Sequence, residues 1–300
     1  MINLHIFGGS TNVGNYLTKV LDLKSDLFNL YKYSRKSKGV LKANLKEPDQ
    51  FFLLNTKEKS IIISFAPIWH FAKFINYITK NNPKDLENVL GIIIISSTSA
   101  TTKRFAFNNY DKELVKQITK SEKQIINNLK ENNIKLKIIR PTLIYGNIKN
   151  YNDRNINKII RFLSIIPIVF LPRSTGKRQP IHAKQLAEVT ITYINKIKNN
   201  RPRFSNSPTI IEVGGDQEIS YHEMLRLSKD KLPLNHKAKN CKIILIPNTL
   251  FYILLFPIFI INKKFFEAIL RIQSDLCGFT PSFQITNNEP REFPLEDDLI

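Results

Sequence analysis

Two stretches constrain this chain more than any other part of it. Ile61-Ile62-Ile63-Ser64-Phe65 and Gly91-Ile92-Ile93-Ile94-Ile95 are nearly unbroken apolar runs, stopped by Ala66-Pro67 and by Ser96-Ser97-Thr98-Ser99. A strand with one wet face alternates apolar and polar residues. A run without alternation reads as a strand buried on both faces, as inside a parallel sheet. Shorter strand signals surround these two: Leu4-His5-Ile6-Phe7 ending at Gly8-Gly9, residues 27–33, a short piece opening at Val40-Leu41, and Leu136-Lys137-Ile138-Ile139 closing at Arg140-Pro141. Between them lie helical patterns, one over 11–23 with Val13, Tyr16, Leu17, Val20 and Leu21 at helical spacing, another, polar, over about 111–132. Strands interleaved with helices make βαβ units, so the fold class expected is α/β, a doubly wound parallel sheet.

Composition narrows the functional classes. Across 300 residues 42% are hydrophobic, enough for a large core and too many for a disordered chain. Two cysteines, Cys241 and Cys277, exclude a disulfide framework and a cysteine-built zinc site, and they suit a reducing, cytoplasmic setting. Met1-Ile2-Asn3-Leu4-His5 has neither a basic region nor a long apolar core, so no secretory leader is expected at this start. The net charge of +20 raises the question of nucleic acid. Lys outnumbers Arg 33 to 12, however, and the lysines are spread throughout. Arg is the side chain suited to bidentate phosphate and guanine contacts, so the charge reads as solvated lysine and not as a nucleic-acid surface.

After residue 150 the pattern becomes irregular. A helix is expected over 156–166, then a Pro-, Arg- and Gly-rich loop, a strand near Pro180-Ile181-His182 and a helix over 183–198. A strand over 209–213 leads through Gly214-Gly215 into another helix, and the acidic tail 289–298 reads as an exposed strap or frayed end. The division expected is 1–170 as one unit and 171–300 as a smaller α/β unit, with 178–198 packing back on the first. Residues 243–261 are apolar but interrupted by Pro247, Asn248, Thr249 and Pro257. They read as a buried or partner-facing helix, or as a peripheral membrane contact through 248–262 flanked by Lys242, Lys263 and Lys264, and not as a span.

Chemistry enters at the first turn. Gly8-Gly9-Ser10-Thr11-Asn12-Val13-Gly14 joins the first strand to the first helix, where a dinucleotide pyrophosphate rests on backbone N–H groups. Gly8 permits the turn and Gly14 close helix packing; Thr11 replaces the middle glycine and adds a hydroxyl donor. The second strand ends in Ser34-Arg35-Lys36 with no acid nearby. A carboxylate there would select the ribose 2′-hydroxyl of NAD, whereas a cation favours NADP, which is therefore the cofactor expected, with NAD as the alternative. The five histidines are scattered without paired carboxylates at ligand spacing, so no metal site is expected.

Arg140-Pro141-Thr142-Leu143-Ile144-Tyr145-Gly146 resembles the segment after the sixth strand of the extended short-chain dehydrogenases/reductases, which include nucleotide-sugar epimerases and dehydratases. Further segments are similar to that family in the same order: Phe65-Ala66-Pro67, Ser96-Ser97-Thr98-Ser99, Arg178-Gln179-Pro180-Ile181-His182-Ala183, Glu212-Val213-Gly214-Gly215 with Ile219 to Leu225, and Asp275-Leu276 with Gly278-Phe279-Thr280-Pro281. The resemblance implies a Rossmann-type domain for NAD(P) and a smaller C-terminal domain for an anionic small molecule, a nucleotide-sugar. Carried over by position, Gly8, Ser10, Thr11, Asn12 and Val13 line the pyrophosphate, and Ser34 and Arg35 the adenosine end. Phe65, Ala66 and Pro67 border adenine and ribose; Pro141, Thr142 and Leu143 flank the nicotinamide; Arg178 and His182 face the substrate. Asn44 stands where the family often has an Asp.

One departure is chemical. The family's redox enzymes use Tyr-x-x-x-Lys on the helix after the fifth strand, the lysine lowering the tyrosine pKa for proton exchange with the substrate oxygen. Here Ser97, or Thr98, keeps the serine position, but the nearest tyrosine is Tyr110, which reads as preceding the helix, with Leu114 four residues later. Two functions stay open: an atypical NAD(P)-dependent epimerase, dehydratase or reductase, and a catalytically silent dinucleotide-binding scaffold, assembly factor or sensor.

Overall fold

The computed structural model describes residues 1–23, 26–35, 41–132, 134–147, 153, 155–199 and 209–295. Six strands of the first half, β1 (Ile2–Phe7), β2 (Phe28–Ser34), β3 (Leu41–Lys42), β4 (Ser60–Ser64), β5 (Val89–Ile95) and β6 (Lys135–Pro141), lie in one sheet. Among the later strands, β7 (Ile144–Tyr145), β8 (Ile168–Pro172), β9 (Lys177–Arg178), β10 (Ile181–His182), β12 (Ile219–Ser220) and β13 (Lys242–Ile246) form three small pairs: β7 with β10, β9 with β12, and β8 with β13. β11 (Ile210–Gly214) and β14 (Thr280–Pro281) extend the main sheet, whose order is β14-β11-β6-β5-β4-β1-β2-β3, parallel throughout. The α/β doubly wound class is thus realised. The third strand opens at Leu41, Val40 lying outside the described residues.

Both central runs behave as their lack of alternation requires. Every residue of β4 is buried, and Ile92, Ile93 and Ile94 of β5 are inaccessible. One face is covered by α1 (Asn12–Asp22), whose Val13, Leu17 and Leu21 join Leu186, Val189, Ile194 and Ile197 from a helix over 183–198. The other is covered by α2 (Ile68–Asn81), followed past the short α3 (Ser99–Thr102) by α4 (Asn109–Leu129), through Phe71, Ile75, Ile118 and Ile125. α4 starts two residues before the sequence signal because Asn108 caps it, its Oδ1 accepting from Asp111 N at 2.9 Å.

The next helices are α5 (Ile156–Ile165), α6 (Ala183–Lys198) and α7 (Tyr221–Asp230). α6 is the one lying on β5: a Cβ at Gly91 would stand 2.7 Å from Ile197 Cδ1. α5 and α7 pack with Tyr145 and Phe293 in a separate core. α8 (Asn248–Ile261), α9 (Lys263–Leu270) and α10 (Ser282–Thr286) complete the chain. The tail is not frayed where it is described. Arg291 pairs with Glu188, Phe293 is buried, and Leu295 N donates to Tyr145 Oη at 3.2 Å, while 296–298 lie outside the described residues.

β1 carries a buried titratable group. His5 is inaccessible, stacked on Tyr31 at 5.2 Å, with Nδ1 3.1 Å from Tyr33 Oη, and burial lowers its pKa to about 4. The unfolded chain takes up this proton near pH 6.5, so between there and pH 4 acid favours unfolding. The contribution is full above the unfolded value and is lost as pH falls, by on the order of 3 kcal/mol. Urea unfolding followed from about pH 7 to about pH 4.5 should show a loss of stability that His5→Phe makes smaller. An identical pH profile in the variant would assign the loss to other groups.

Candidate functional site

The carboxyl ends of β1, β2 and β4 frame a cleft of about 380 Å³. Gly8 turns the chain at φ +74°, and a Cβ there would come within 3.0 Å of the Phe65–Ala66 peptide. A Cβ on Gly14 would lie 2.7 Å from Gly8 O, so the helix start presses on the turn through bare backbone. Thr11 is the N-cap: its Oγ1 accepts from Gly14 N at 3.1 Å and donates to Gly8 O at 2.9 Å. The hydroxyl read from sequence as a donor toward the cleft is engaged in this cap. Asn12 and Val13 are the first two helical residues, whose N–H groups have no intrahelical acceptor. Asn12 Nδ2 donates to Gly146 O at 2.5 Å, and Tyr16 Oη to Asn147 O at 3.0 Å, tying the turn to the loop after β7. The Val13 side chain itself is in the core.

Gly8, Ser10, Thr11, Ser34, Arg35, Phe65, Ala66 and Pro67 all line this cleft, as does Asn44. Sequence reasoning missed Lys46 and His70. Lys46 sits on the irregular link after β3, which has no periodic signal. His70 lies in the first turn of α2, and its distance of three residues from Pro67 could have found it, since that turn faces the strand ends. Burial lowers the pKa of His70, and the charges of Lys46, Arg35 and Lys73 lower it further. The described lining residues include no acid, so this end of the cleft favours an anion.

The loop after β5 is held differently. Ser97 Oγ accepts from Ser99 N at 3.1 Å, in a half-buried position. Thr98 is buried and its hydroxyl donates to Pro141 O at 3.0 Å. Behind them Arg140 makes a bidentate pair with Glu122, Nε to Oε1 at 2.9 Å and Nη2 to Oε2 at 2.5 Å, and its Nη1 reaches Glu212 Oε1 at 3.1 Å. Ser96 Oγ donates to the same Glu122 at 2.6 Å. Of the segment at the end of β6, Pro141 is buried, Thr142 Oγ1 donates to Gln179 O, and Leu143 O accepts from Ile181 N at 2.9 Å.

Three expectations change. Tyr110 stands in the first turn of α4, not before it, because the Asn108 cap lengthens that helix; its ring is 59% exposed and lies under Lys264 Nζ, 3.2 Å from the centroid. The lysine meets the face of the ring and not the hydroxyl, while Leu114 packs against the core below. Arg178, read as a phosphate contact, is buried. Its Nη1 donates to Lys177 O and Ser274 O at 2.7 and 2.6 Å, its Nη2 donates to Arg271 O, and it lies over Tyr221. Its guanidinium clamps β9 to the turn 271–274. His182 is inaccessible and caps α6, Nδ1 accepting from Lys184 N at 3.0 Å while Gln185 returns a bond to His182 N. Its ring meets Tyr145 and Tyr16 edge-on. No group of three or more His, Cys, Asp or Glu able to hold a metal occurs among the described residues.

No protein-family model matches the chain, and comparison with curated proteins finds no match. The fold is nevertheless shared with solved structures. MoeE5 in complex with UDP-glucose and NAD matches over 99% of this chain and 96% of its own, with TM-score 0.60 and 12% identity. GDP-mannoheptose C4 reductase from Campylobacter jejuni with NADP bound matches over 82% and 87%, TM-score 0.56, 14% identity. UDP-N-acetylglucosamine 4-epimerase from Bacillus cereus matches over 82% and 89%, TM-score 0.54, 14% identity. The chain shares with these structures a Rossmann-like α/β fold, a parallel sheet covered by helices on both faces.

Arg140→Met should lower the unfolding free energy by about 3 kcal/mol, because Glu122, only 3% exposed, would keep a buried charge without its partner. Urea melts of the variant and of Glu122→Gln/Arg140→Met together measure this. A single variant as stable as the parent would mean that Glu122 does not depend on Arg140 for its burial.

Proposed function

We propose that this chain binds NADP(H) in the cleft between β1, β2 and β4, as a protein of the nucleotide-sugar epimerase, dehydratase or reductase type acting on an anionic sugar nucleotide. The observation that carries the reading is the pairing of a bare-backbone helix start at Gly8–Gly14 with Arg35 and Lys46 in a cleft whose described lining has no acid. The N–H groups of Asn12 and Val13 suit a pyrophosphate, with the positive end of α1 behind them. Ser34, Arg35 and Lys46 suit a 2′-phosphate at the adenosine end, and Phe65, Ala66 and Pro67 offer it an apolar wall. Pro141, Thr142 and Leu143 would border the nicotinamide side, with residues 1–170 holding the cofactor and 171–300 contributing the substrate side.

A bound nicotinamide dinucleotide supplies a hydride donor or acceptor. From this chain Ser97 is the group suited to polarise a substrate oxygen, since the Thr98 hydroxyl is already bonded to Pro141 O. The second reading, a silent dinucleotide-binding scaffold or sensor, is favoured by Leu114 and by the orientation of Tyr110, which leave the usual proton-transfer pair unrepresented on α4. The two free cysteines suit a reducing compartment such as the cytoplasm.

Fluorescence titration should find NADPH bound at micromolar concentrations, and Gly14→Ala should weaken it about a hundredfold, since the added Cβ meets backbone that cannot move aside. The absence of binding of either dinucleotide at millimolar concentration would sink the proposal. Arg35→Asp should invert the preference from NADPH toward NADH by roughly tenfold or more, through loss of a phosphate contact and gain of a carboxylate for the 2′-hydroxyl. An unchanged ratio would take Arg35 out of the adenosine site. Turnover of a sugar-nucleotide panel that is abolished by Ser97→Ala would decide for the enzyme over the silent protein.

A further inference from the structure

An extended apolar surface lies outside this cleft. α8, of sequence NTLFYILLFPIFII, buries Phe251 and Leu255 against Ile246, Phe266, Ile269 and Leu270. Its other sides face outward: Ile253, Phe256, Ile260 and Ile261 are between 64 and 83% exposed. β8, which α8 packs against, adds Ile168 and Phe170, and β8's partner β13 adds Ile244 and Leu245, all exposed. An apolar patch of this extent marks an interaction site.

Its charge identifies the occupant. From Asp153 to Glu188, and again from Asp230 to Glu267, the sequence between the two acids contains no Asp or Glu. These are the segments that build the patch, and their exposed charges, among them Arg161, Arg173, Lys242, Lys263 and Lys264, are all positive. Within 250–261 the only side chain able to hydrogen-bond is Tyr252, and it is already bonded to Gln273. A specific protein interface carries hydrogen bonds across it; hydrocarbon needs none. α8 is 14 residues, about 21 Å, and among the described residues no helix is long and apolar enough to cross a membrane.

We infer that α8 is an interfacial membrane anchor, lying in the plane of an anionic phospholipid surface with its exposed apolar sides among the acyl chains and the surrounding lysines and arginines at the headgroups. The anchor is separate from the cofactor cleft and does not depend on the function assigned there. The full chain should float with vesicles of phosphatidylcholine containing about 30% phosphatidylglycerol, and its binding should fall about tenfold or more on pure phosphatidylcholine or in about 0.5 M salt. Ile253→Glu/Phe256→Glu should abolish flotation while leaving the urea midpoint and the NADPH titration of the parent protein. Failure of the parent chain to bind anionic vesicles would overturn the inference. So would a stable dimer in light scattering that these substitutions dissociate, since the patch would then belong to a second copy.

Discussion

The Arg140–Glu122 pair stands where the carboxyl ends of the strands meet the helices that cover them. Arg140 belongs to β6, Glu122 to α4, Glu212 to β11, Thr101 to α3, and Ser96 to the exit of β5. Arg140 Nη1 also donates to Thr101 Oγ1 at 3.1 Å, and a planar guanidinium can satisfy two carboxylates and a hydroxyl at fixed angles, which an ammonium cannot. The position of the Ser97–Thr98 loop follows from this, because Ser96 is bonded to Glu122 on one side and Thr98 to Pro141 on the other. A parallel sheet of isoleucines has little lateral specificity of its own. The polar cluster at its edge supplies specific contacts where the loops begin.

A similar economy governs the cleft. Most of the +20 charge is lysine spread over the chain, and charge of that kind carries no address. What makes the cleft anionophilic is local: the end of α1 with its unbonded N–H groups, and Arg35, Lys46 and Lys73 close enough to lower the His70 pKa. The same chain gathers a second group of cations around the apolar α8 helix, so charge of one sign is concentrated at two separate places.

What was legible in the sequence follows from period and punctuation. β4 and β5 could be read because three or four successive isoleucines have no other comfortable place, and α6 because its pattern runs sixteen residues. Side-chain roles were less legible. Arg178 and His182 lie at positions a substrate could face, but whether a guanidinium is free depends on carbonyls about 95 residues away, at Arg271 and Ser274, which no local pattern reveals. Lys46 escaped notice for the complementary reason, since a lysine on an aperiodic link has no signal among 32 others. The Asn108 cap, which moved Tyr110 from link to helix, was not read from the sequence because the polar start of α4 has no apolar period to mark it.

The contact between α9 and the start of α4 bears on how the chain is made. Asp111 is inaccessible and bonds Lys103 at 2.8 Å and Arg271 at 2.9 Å, while Glu267 accepts from the N–H groups of Phe107 and Asn108 at 2.6 and 2.8 Å. Two of these partners are synthesised some 160 residues after the groups they satisfy. α6, which covers one face of the sheet, and β11, which flanks β6, also come late. A nascent chain therefore carries an open sheet face until α6 has been made and an incomplete start of α4 until α9 has, so the amino-terminal strands cannot complete their packing before these later segments follow.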